Sequence, residues 1–318
     1  IARLSSVVFS MYDSNSLTTP GPLGGHNWHP MSYSPKTGLV YIPAQETLFI
    51  FSTDNKFKYN PATWNTAQQI EMTYLPKDPD ELAMVDSATV GYLLAWDPKK
   101  QKEVWRAQYK RPWSGGVLST DGNLVFQGTS DGRFVAYAAD SGDLLWSMDT
   151  GQGIVAPPIT YKIDGEQYIA VQVGYGGAYA LLGAFEAANE NPARDGRMMV
   201  FKLGGEKLQE PVATISQLNP TIVELNFDAL TIARGEYEYH EHCQFCHGAG
   251  AIGGGVLPDL RILDDQGNAS FLGSVLGGVH GSGMASFKDV LNIEQTQQIY
   301  EYIKHQAVLT GVASSADQ

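Results

Sequence analysis

The chain has 318 residues, with 34 acidic against 21 basic side chains and a net charge of −13, a balance that argues against a nucleic-acid partner and against a basic membrane-binding surface. No apolar run approaches the ~20 residues of a transmembrane helix, and the length allows about two domains. The residues from Ile1 onward do not read as a signal peptide.

The first 200 residues have strand and turn grammar with little helical periodicity. Met31 to Pro43 reads strand, Pro/Gly turn, strand. Tyr41 to Tyr59 and Trp64 to Tyr92 read as loops over one face, with aromatics that shape an entrance or pack on the surface. Next comes an internal repeat: Gly91 to Trp105 lines up with Gly132 to Trp146. Ala95–Trp105 and Ala136–Trp146 each span eleven residues, and the two tryptophans stand 41 apart. Gly116 to Gly128 reads as a hairpin turning at Asp121-Gly122, and Ile154 to Val173 repeats the form at Asp164-Gly165. A period of ~40–50 residues with four short strands marks a β-propeller blade, in which a repeated tryptophan can wedge neighbouring blades together. The expectation is about four blades or partial blades, hence half of a larger ring, over 1–202.

Residues 203–220, with Gly204-Gly205, Pro211 and Pro220, read as a linker to a second module over 221–318 whose body runs from about Thr221 to Ala313. Asp228 to Cys243 is expected to be a helix with Leu230, Ile232, Tyr237 and Tyr239 as its apolar surface. It leads into Cys243-Gln244-Phe245-Cys246-His247. This C-x-x-C-H pattern is the c-type haem attachment signature: both thiols reach the two vinyl groups from one turn, and the following imidazole reaches the iron. The rival reading is a zinc half-site or a thioredoxin-like pair that happens to precede a histidine; zinc would need further Cys or His partners at ligand spacing, and these are the only two cysteines in the chain. A thioether as sixth ligand suits electron transfer. Met284, 37 residues after His247, sits in Gly-Met-x-x-Phe, like the methionine loop of a small class I cytochrome c, with Pro258-Asp259-Leu260 between. His280 is the competing ligand; His240 and His242 are expected on the surface. Asn292 is expected to cap a helix over Ile293 to Ala307, with Ile293, Thr296, Tyr300, Ile303 and Ala307 near one face. The glycine-rich stretches between the two helices read as loops wrapped around the cofactor, and Ser314 to Gln318 as a frayed tail. Covalent haem implies assembly outside the cytoplasm, so an export signal is expected on a part not in this sequence.

The run from Gly24 to Ala44, Gly-Gly-His-Asn-Trp-His-Pro-Met-Ser-Tyr-Ser-Pro-Lys-Thr-Gly-Leu-Val-Tyr-Ile-Pro-Ala, resembles the C-terminal half of the quinohaemoprotein alcohol dehydrogenases. Trp113-Ser114-Gly115-Gly116, Val173 to Gly177 and the trailing cytochrome are similar in order and spacing, so the resemblance covers essentially the whole chain. It implies a mainly β chain: about half of an eight-bladed propeller followed by an all-α class I cytochrome c domain. Its cofactors would be pyrroloquinoline quinone (PQQ), Ca2+ and haem c. The family's Asn-Trp pair matches Asn27 and Trp28, so the amide would meet the quinone's polar edge and the indole would pack near it; the alternative is a loop bond and a core tryptophan. Gly176, in a turn that often has Trp where Tyr175 stands, would approach the other edge, or is a plain blade-end turn. Trp113 reads as packing or pocket wall, and His26 and His29 as surface or pocket rim.

The family's calcium ligands, catalytic aspartate (the base) and vicinal disulfide precede the Asn-Trp pair and cannot be placed here, so the catalytic residues are expected on a missing N-terminal half, as a separate chain or cleavage product. An isolated half ring would expose sheet edges and is expected to need that partner. The implied activity is periplasmic oxidation of an alcohol, with electrons leaving one at a time through haem held by Cys243, Cys246, His247 and Met284 to a cytochrome, copper protein or quinone. The rivals are a haem-bearing electron-transfer subunit whose propeller half only binds a partner, and a haem d1 propeller, which usually has its cytochrome first.

Overall fold

A computed structural model describes residues 16–59, 65–69, 78–177, 179, 196–206, 221–225, 228–251, 257–262 and 267–315. The chain enters through β1 (Ser16–Thr18), then lays down β2 (Ser32–Ser34) and β3 (Leu39–Glu46). It leaves that sheet for β4 (Phe49–Phe51), which pairs antiparallel with β1, and for helix α1 (Pro79–Ser87). It returns through β5 (Val90–Asp97) and β6 (Lys102–Tyr109) to complete a four-stranded blade in the order β2-β3-β5-β6. The two supposed surface loops are therefore corrected. Tyr41–Glu46 and Val90–Tyr92 are blade strands, and α1 lies between them; the apolar run beginning at Tyr41 alternates with period two because one face is core.

A second four-stranded blade follows: β7 (Val117–Thr120), β8 (Leu124–Gly128), β9 (Arg133–Ala138) and β10 (Leu144–Asp149). The third sheet has three described strands, β11 (Ile159–Ile163), β12 (Glu166–Val173) and β13 (Arg197–Lys202). Among the described residues the expected four blades thus become two full blades, one three-stranded sheet and the β1–β4 pair outside them. The β11–β12 turn carries Asp164 at φ 52° and Gly165 at φ 84°, the two left-handed residues of a type I′ hairpin. In the β7–β8 turn it is Asn123, at φ 63°, that takes the left-handed conformation rather than Gly122.

The internal repeat has a direct structural counterpart. Ala95 pairs with Trp105 and Ala136 with Trp146, each beside a register irregularity. Trp105 is buried, and its indole N–H donates to the Ala139 carbonyl of the next blade at 3.1 Å. A side chain on Gly142 would stand 2.7 Å from that indole. Trp146 meets Phe201 of the third sheet at 5.6 Å, as Trp105 meets Tyr137 of the second blade at 6.3 Å. The second blade is covered on both faces: Val125, Val135 and Tyr137 feed one core with Leu39, Tyr41 and Leu93, and Phe126, Phe134 and Ala136 feed the other with Ile154, Val171 and Met199. Trp105→Ala should therefore cost about 3–5 kcal/mol, read as a lower denaturant midpoint of the propeller transition with the haem spectrum unchanged.

The second module starts at β14 (Thr221–Val223), followed by α2 (Ala229–His242), α3 (Gln244–His247), α4 (Gly267–Gly277), α5 (Ile293–Leu309) and β15 (Ala313–Ser315). One addition to an all-helical expectation is the parallel β14–β15 pair, which joins Thr221 to Ala313 and draws Ser314 and Ser315 out of the supposed frayed tail. A second correction concerns the glycine-rich stretch, part of which is α4. Asp228 caps α2 through the Thr231 amide. Asn292 and Gln295 form a reciprocal capping box on α5. The α2 and α5 helices touch where Gly235 lies on the Gln298 carbonyl, so close that a Cβ there would stand 1.9 Å from that oxygen. That crossing sets which faces are buried. Tyr239, Thr296, Tyr300, Ile303 and Ala307 go inside, while Leu230, Tyr237 and Ile293, counted on the apolar faces from spacing, are exposed. His240, expected on the surface, is 1% exposed. Its Nδ1–H donates to Gln244 at 2.7 Å, and the Tyr302 hydroxyl approaches its Nε2 at 3.4 Å. His242 is likewise turned inward, against Glu238 at 3.5 Å.

Candidate active site and metal centre

The Val117 amide donates to the Pro30 carbonyl at 3.0 Å, the Ile154 amide donates to the Thr129 carbonyl just past β8, and Ile154 bridges Gly174 just past β12, so the start of β2, the start of β7 and the end of β12 lie at one end of the blades, and there the predicted propeller residues meet. Trp28 is 56% exposed, so it is not a core tryptophan. Its indole stacks on His29 at 4.3 Å, and His29 stands edge-on to Trp113 at 4.7 Å. Gly177 closes the row: its Cβ position lies 3.1 Å from Trp113 Nε1. Trp113 thereby links the Asn27–Trp28 loop to the turn that contains Gly176. Asn27 is exposed; its Nδ2 donates to the Leu23 carbonyl at 2.9 Å and its Oδ1 accepts the Trp28 amide at 2.8 Å. Among the described residues each side-chain atom has one partner, and an amide has two donors and two acceptor lone pairs, so each can make one further hydrogen bond.

His29 corrects the expectation of a rim residue: it is 4% exposed, under the Trp28 ring. Burial, then the charge of nearby His26, pushes its pKa down to about 4, so the imidazole is neutral at physiological pH. His26 is anchored too, its Nδ1–H donating to the Pro43 carbonyl at 2.7 Å. Trp113 adopts φ +64°, a left-handed backbone that a bulky side chain takes only when its surroundings impose it. Gln45 on β3 contributes to that constraint: its Oε1 accepts the Trp113 amide at 3.2 Å.

In the helical module, Cys243 ends α2, and the attachment turn is closed by the Cys246 and His247 amides donating to the Cys243 carbonyl at 3.1 and 2.9 Å. Both thiols are free, and Cys246 is exposed. Burial pushes Cys243 up to about 12, with the neighbouring Cys246 adding to the effect. The Tyr239 hydroxyl donates to the Gly248 carbonyl at 2.6 Å and pins the far end of the turn. His247 donates Nδ1–H to the Pro258 carbonyl at 3.2 Å, which leaves Nε2 as the unprotonated nitrogen. Burial holds its pKa below the usual histidine range, against that hydrogen bond. Leu260 and Met284 pack into the same apolar cluster as Cys243, Tyr239 and Ile303. The Met284 loop is held to the end of α4 by Ser286 Oγ donating to the Leu276 carbonyl at 2.6 Å and by Phe287 N donating to Val275 at 3.0 Å. Gly278, at φ +73° with its Cβ position 3.0 Å from the Met284 carbonyl, permits the tight return. His280, the rival ligand, is exposed at the tip of that turn.

The family described as glucose/ethanol/alcohol dehydrogenase, beta-propeller domain (PQQ) matches residues 2–169, and that described as cytochrome c oxidase, cbb3-type, subunit III matches residues 230–303. The quinohemoprotein alcohol dehydrogenase ADH-IIG of Pseudomonas putida is 39% identical over 290 residues, which is 91% of this chain and 40% of that protein. Its solved structure superposes with a TM-score of 0.82 at 36% identity, covering 94% of this chain and 44% of the other. The quinohemoprotein alcohol dehydrogenase from Comamonas testosteroni superposes with a TM-score of 0.70 at 33% identity, over 93% and 43%. The chain belongs to the quinohaemoprotein alcohol dehydrogenase family. As a family member it comprises a partial PQQ-type propeller followed by a cytochrome c domain, and it spans about two fifths of the length of the curated relatives it matches.

Both organic cofactors of these quinohaemoproteins are compatible with the residues present. Two free thiols on one turn, an imidazole with Nε2 available and a thioether in the adjoining apolar cluster suit a haem. An exposed indole face backed by a buried imidazole, beside an amide with spare donor and acceptor, suits a planar quinone. Among the described residues, no group of three or more His, Cys, Asp or Glu side chains is arranged to hold a metal ion. Sequence reasoning missed His29 as the support of Trp28, and it missed Gln45 altogether. The repeat of buried positions 39, 41, 43 and 45 along β3 was the available signal for Gln45.

Proposed function

We propose that this chain is the C-terminal portion of a periplasmic quinohaemoprotein dehydrogenase that oxidises an alcohol at PQQ and Ca2+ and delivers the electrons through haem c to an external acceptor. The observation that carries the reading is the union, in one chain, of a PQQ-type propeller with an exposed Asn27–Trp28 platform and a cytochrome with a complete attachment turn. When bound, PQQ would accept the hydride equivalent from the alcohol and the haem would carry electrons singly to a cytochrome, copper protein or quinone. Asn27 would use its spare N–H on the quinone's polar edge, Trp28 would offer its open face, and Gly176 would bring backbone close to the other edge. Cys243 and Cys246 would hold the haem covalently, with His247 and Met284 as axial ligands; the exposure of His280 and the packing of Met284 favour the latter.

The reading divides the chain into propeller residues 1–202, a linker at 203–220 and a cytochrome domain at 221–318; residues 207–220 lie outside the described ones. The remaining blades, the catalytic base and the calcium ligands would come from further polypeptide. Supporting this, the outer face of the third sheet leaves Ile159, Ile163, Met198 and Val200 exposed, apolar surface that a soluble protein ordinarily covers. No helix among the described residues is long and apolar enough to cross a membrane. The test is to add primary and secondary alcohols to the full ring carrying oxidised haem, PQQ and calcium, and to follow the haem spectrum. Alcohol-dependent haem reduction is expected; no reduction with any alcohol, in a protein shown to retain both cofactors, would sink the reading.

A further inference from the structure

We propose that Gln45 is the positioning residue of the Asn27–Trp28 loop, clamping it to the Trp113 turn across the end of the first blade. The inference rests on the reading that this loop faces the quinone. Gln45 is 4% exposed and stands at the penultimate position of β3. Its side-chain Nε2 donates to the Gly24 carbonyl at 3.1 Å, with the Leu23 carbonyl at 3.5 Å. Its Oε1 accepts the Trp113 amide at 3.2 Å, and its own backbone N–H donates to the Gly25 carbonyl at 2.9 Å. The Leu23 carbonyl is also the acceptor for Asn27 Nδ2, so the amide that would meet the quinone and the amide of Gln45 grip the same two-residue stretch.

The sheet prepares this contact. Gln45 pairs with Gly91 on β5, and side chains directly opposite one another point to the same face. On that face Gly91 has no side chain, and the Arg111-Pro112 backbone runs through the space, 2.3 Å from where a Cβ would stand. The turn can therefore descend onto the sheet far enough for the Trp113 amide to reach Gln45. A glutamine is required because one group must donate to a carbonyl and accept from an N–H at the same time. Glutamate keeps only the acceptor half and sets a carboxylate against the Gly24 carbonyl; methionine keeps the shape and neither bond.

The experiment uses the full ring with its cytochrome, prepared without quinone, as wild type, Gln45→Met, Gln45→Glu and Asn27→Ala. Amide hydrogen exchange of the segment 21–29 is measured first, then the affinity for added PQQ in the presence of calcium, by quinone absorbance. Exchange in 21–29 is expected to speed up in Gln45→Met while β8 and β9 stay protected, and PQQ to bind about tenfold more weakly, the order of one buried hydrogen bond. Gln45→Glu should loosen 21–29 and weaken PQQ binding at least as much as Gln45→Met, because its carboxylate faces the Gly24 carbonyl in a buried position, and either variant carries the test if the other does not accumulate. Unchanged exchange at 21–29, or a uniform rise across all blades, overturns the inference, because Gln45 is then indifferent to the loop or merely part of the core. Faster exchange at 21–29 with PQQ affinity unchanged in both Gln45→Met and Asn27→Ala leaves the clamp standing and overturns the reading that the loop faces the quinone.

Discussion

Met284→Ala is expected to lower the haem reduction potential by on the order of 100 mV, about 2.3 kcal/mol for one electron, and to change the oxidised spectrum while the haem stays covalently attached. A thioether is a soft, neutral ligand that favours the reduced iron, so its removal selectively stabilises the oxidised state. The attachment side is untouched by the substitution: Cys243, Cys246 and the His247–Pro258 hydrogen bond lie on other segments. Potentiometric titration of the holo-protein reads the result. An unchanged potential and spectrum would remove Met284 from the iron and return His280 to consideration. His280→Ala is the matching control and is expected to leave both unchanged, because His280 is exposed at the tip of the loop.

Gly235→Ala should damage the cytochrome module more than any surface substitution in it. The added methyl would lie 1.9 Å from the Gln298 carbonyl oxygen and 2.5 Å from its carbon, and both are backbone atoms inside a helix, unable to rotate away. The helices must separate at their crossing, which loosens the Tyr239, Ile299, Tyr302 and Ile303 cluster on which the attachment turn rests. Overpacking of this kind costs about 1–3 kcal/mol and occasionally more, partly offset by the better helix propensity of alanine, roughly 1 kcal/mol. The expected result is a lower thermal midpoint for loss of the haem spectrum, with the propeller transition unmoved. Two equal midpoints would show that the crossing opens without strain.

The features that were legible in the sequence share one physical property: they are local. Haem attachment needs two thiols and an imidazole within a single turn, so Cys243 to His247 is complete as a string of five residues. The blade repeat is local as well, since Ala95 and Trp105 pair across one tight turn and the tryptophan wedge then repeats with the blade period. Helix caps at Asp228 and Asn292 involve neighbours three residues away.

What the sequence left open was settled by contacts between distant segments. Spacing placed Leu230, Tyr237 and Ile293 on apolar helix faces and His240 on the surface. The close crossing at Gly235 chose a different buried strip, with His240 satisfied inside by Gln244 and Tyr302. At the propeller end, Asn27 and Trp28 could be named from resemblance. That His29 is buried between Trp28 and the distant Trp113 ring depends on where the chain returns, and that Gln45 ties the loop to Trp113 depends on two groups 68 residues apart in the chain meeting at 3.2 Å. Sequence by itself determined the Cys-x-x-Cys-His motif, the strand and helix periods and the order of the two modules. Only the tertiary structure decided which polar side chains are buried and what they hold, because a buried hydrogen bond depends on where the chain returns, and hydrophobic periodicity does not specify that.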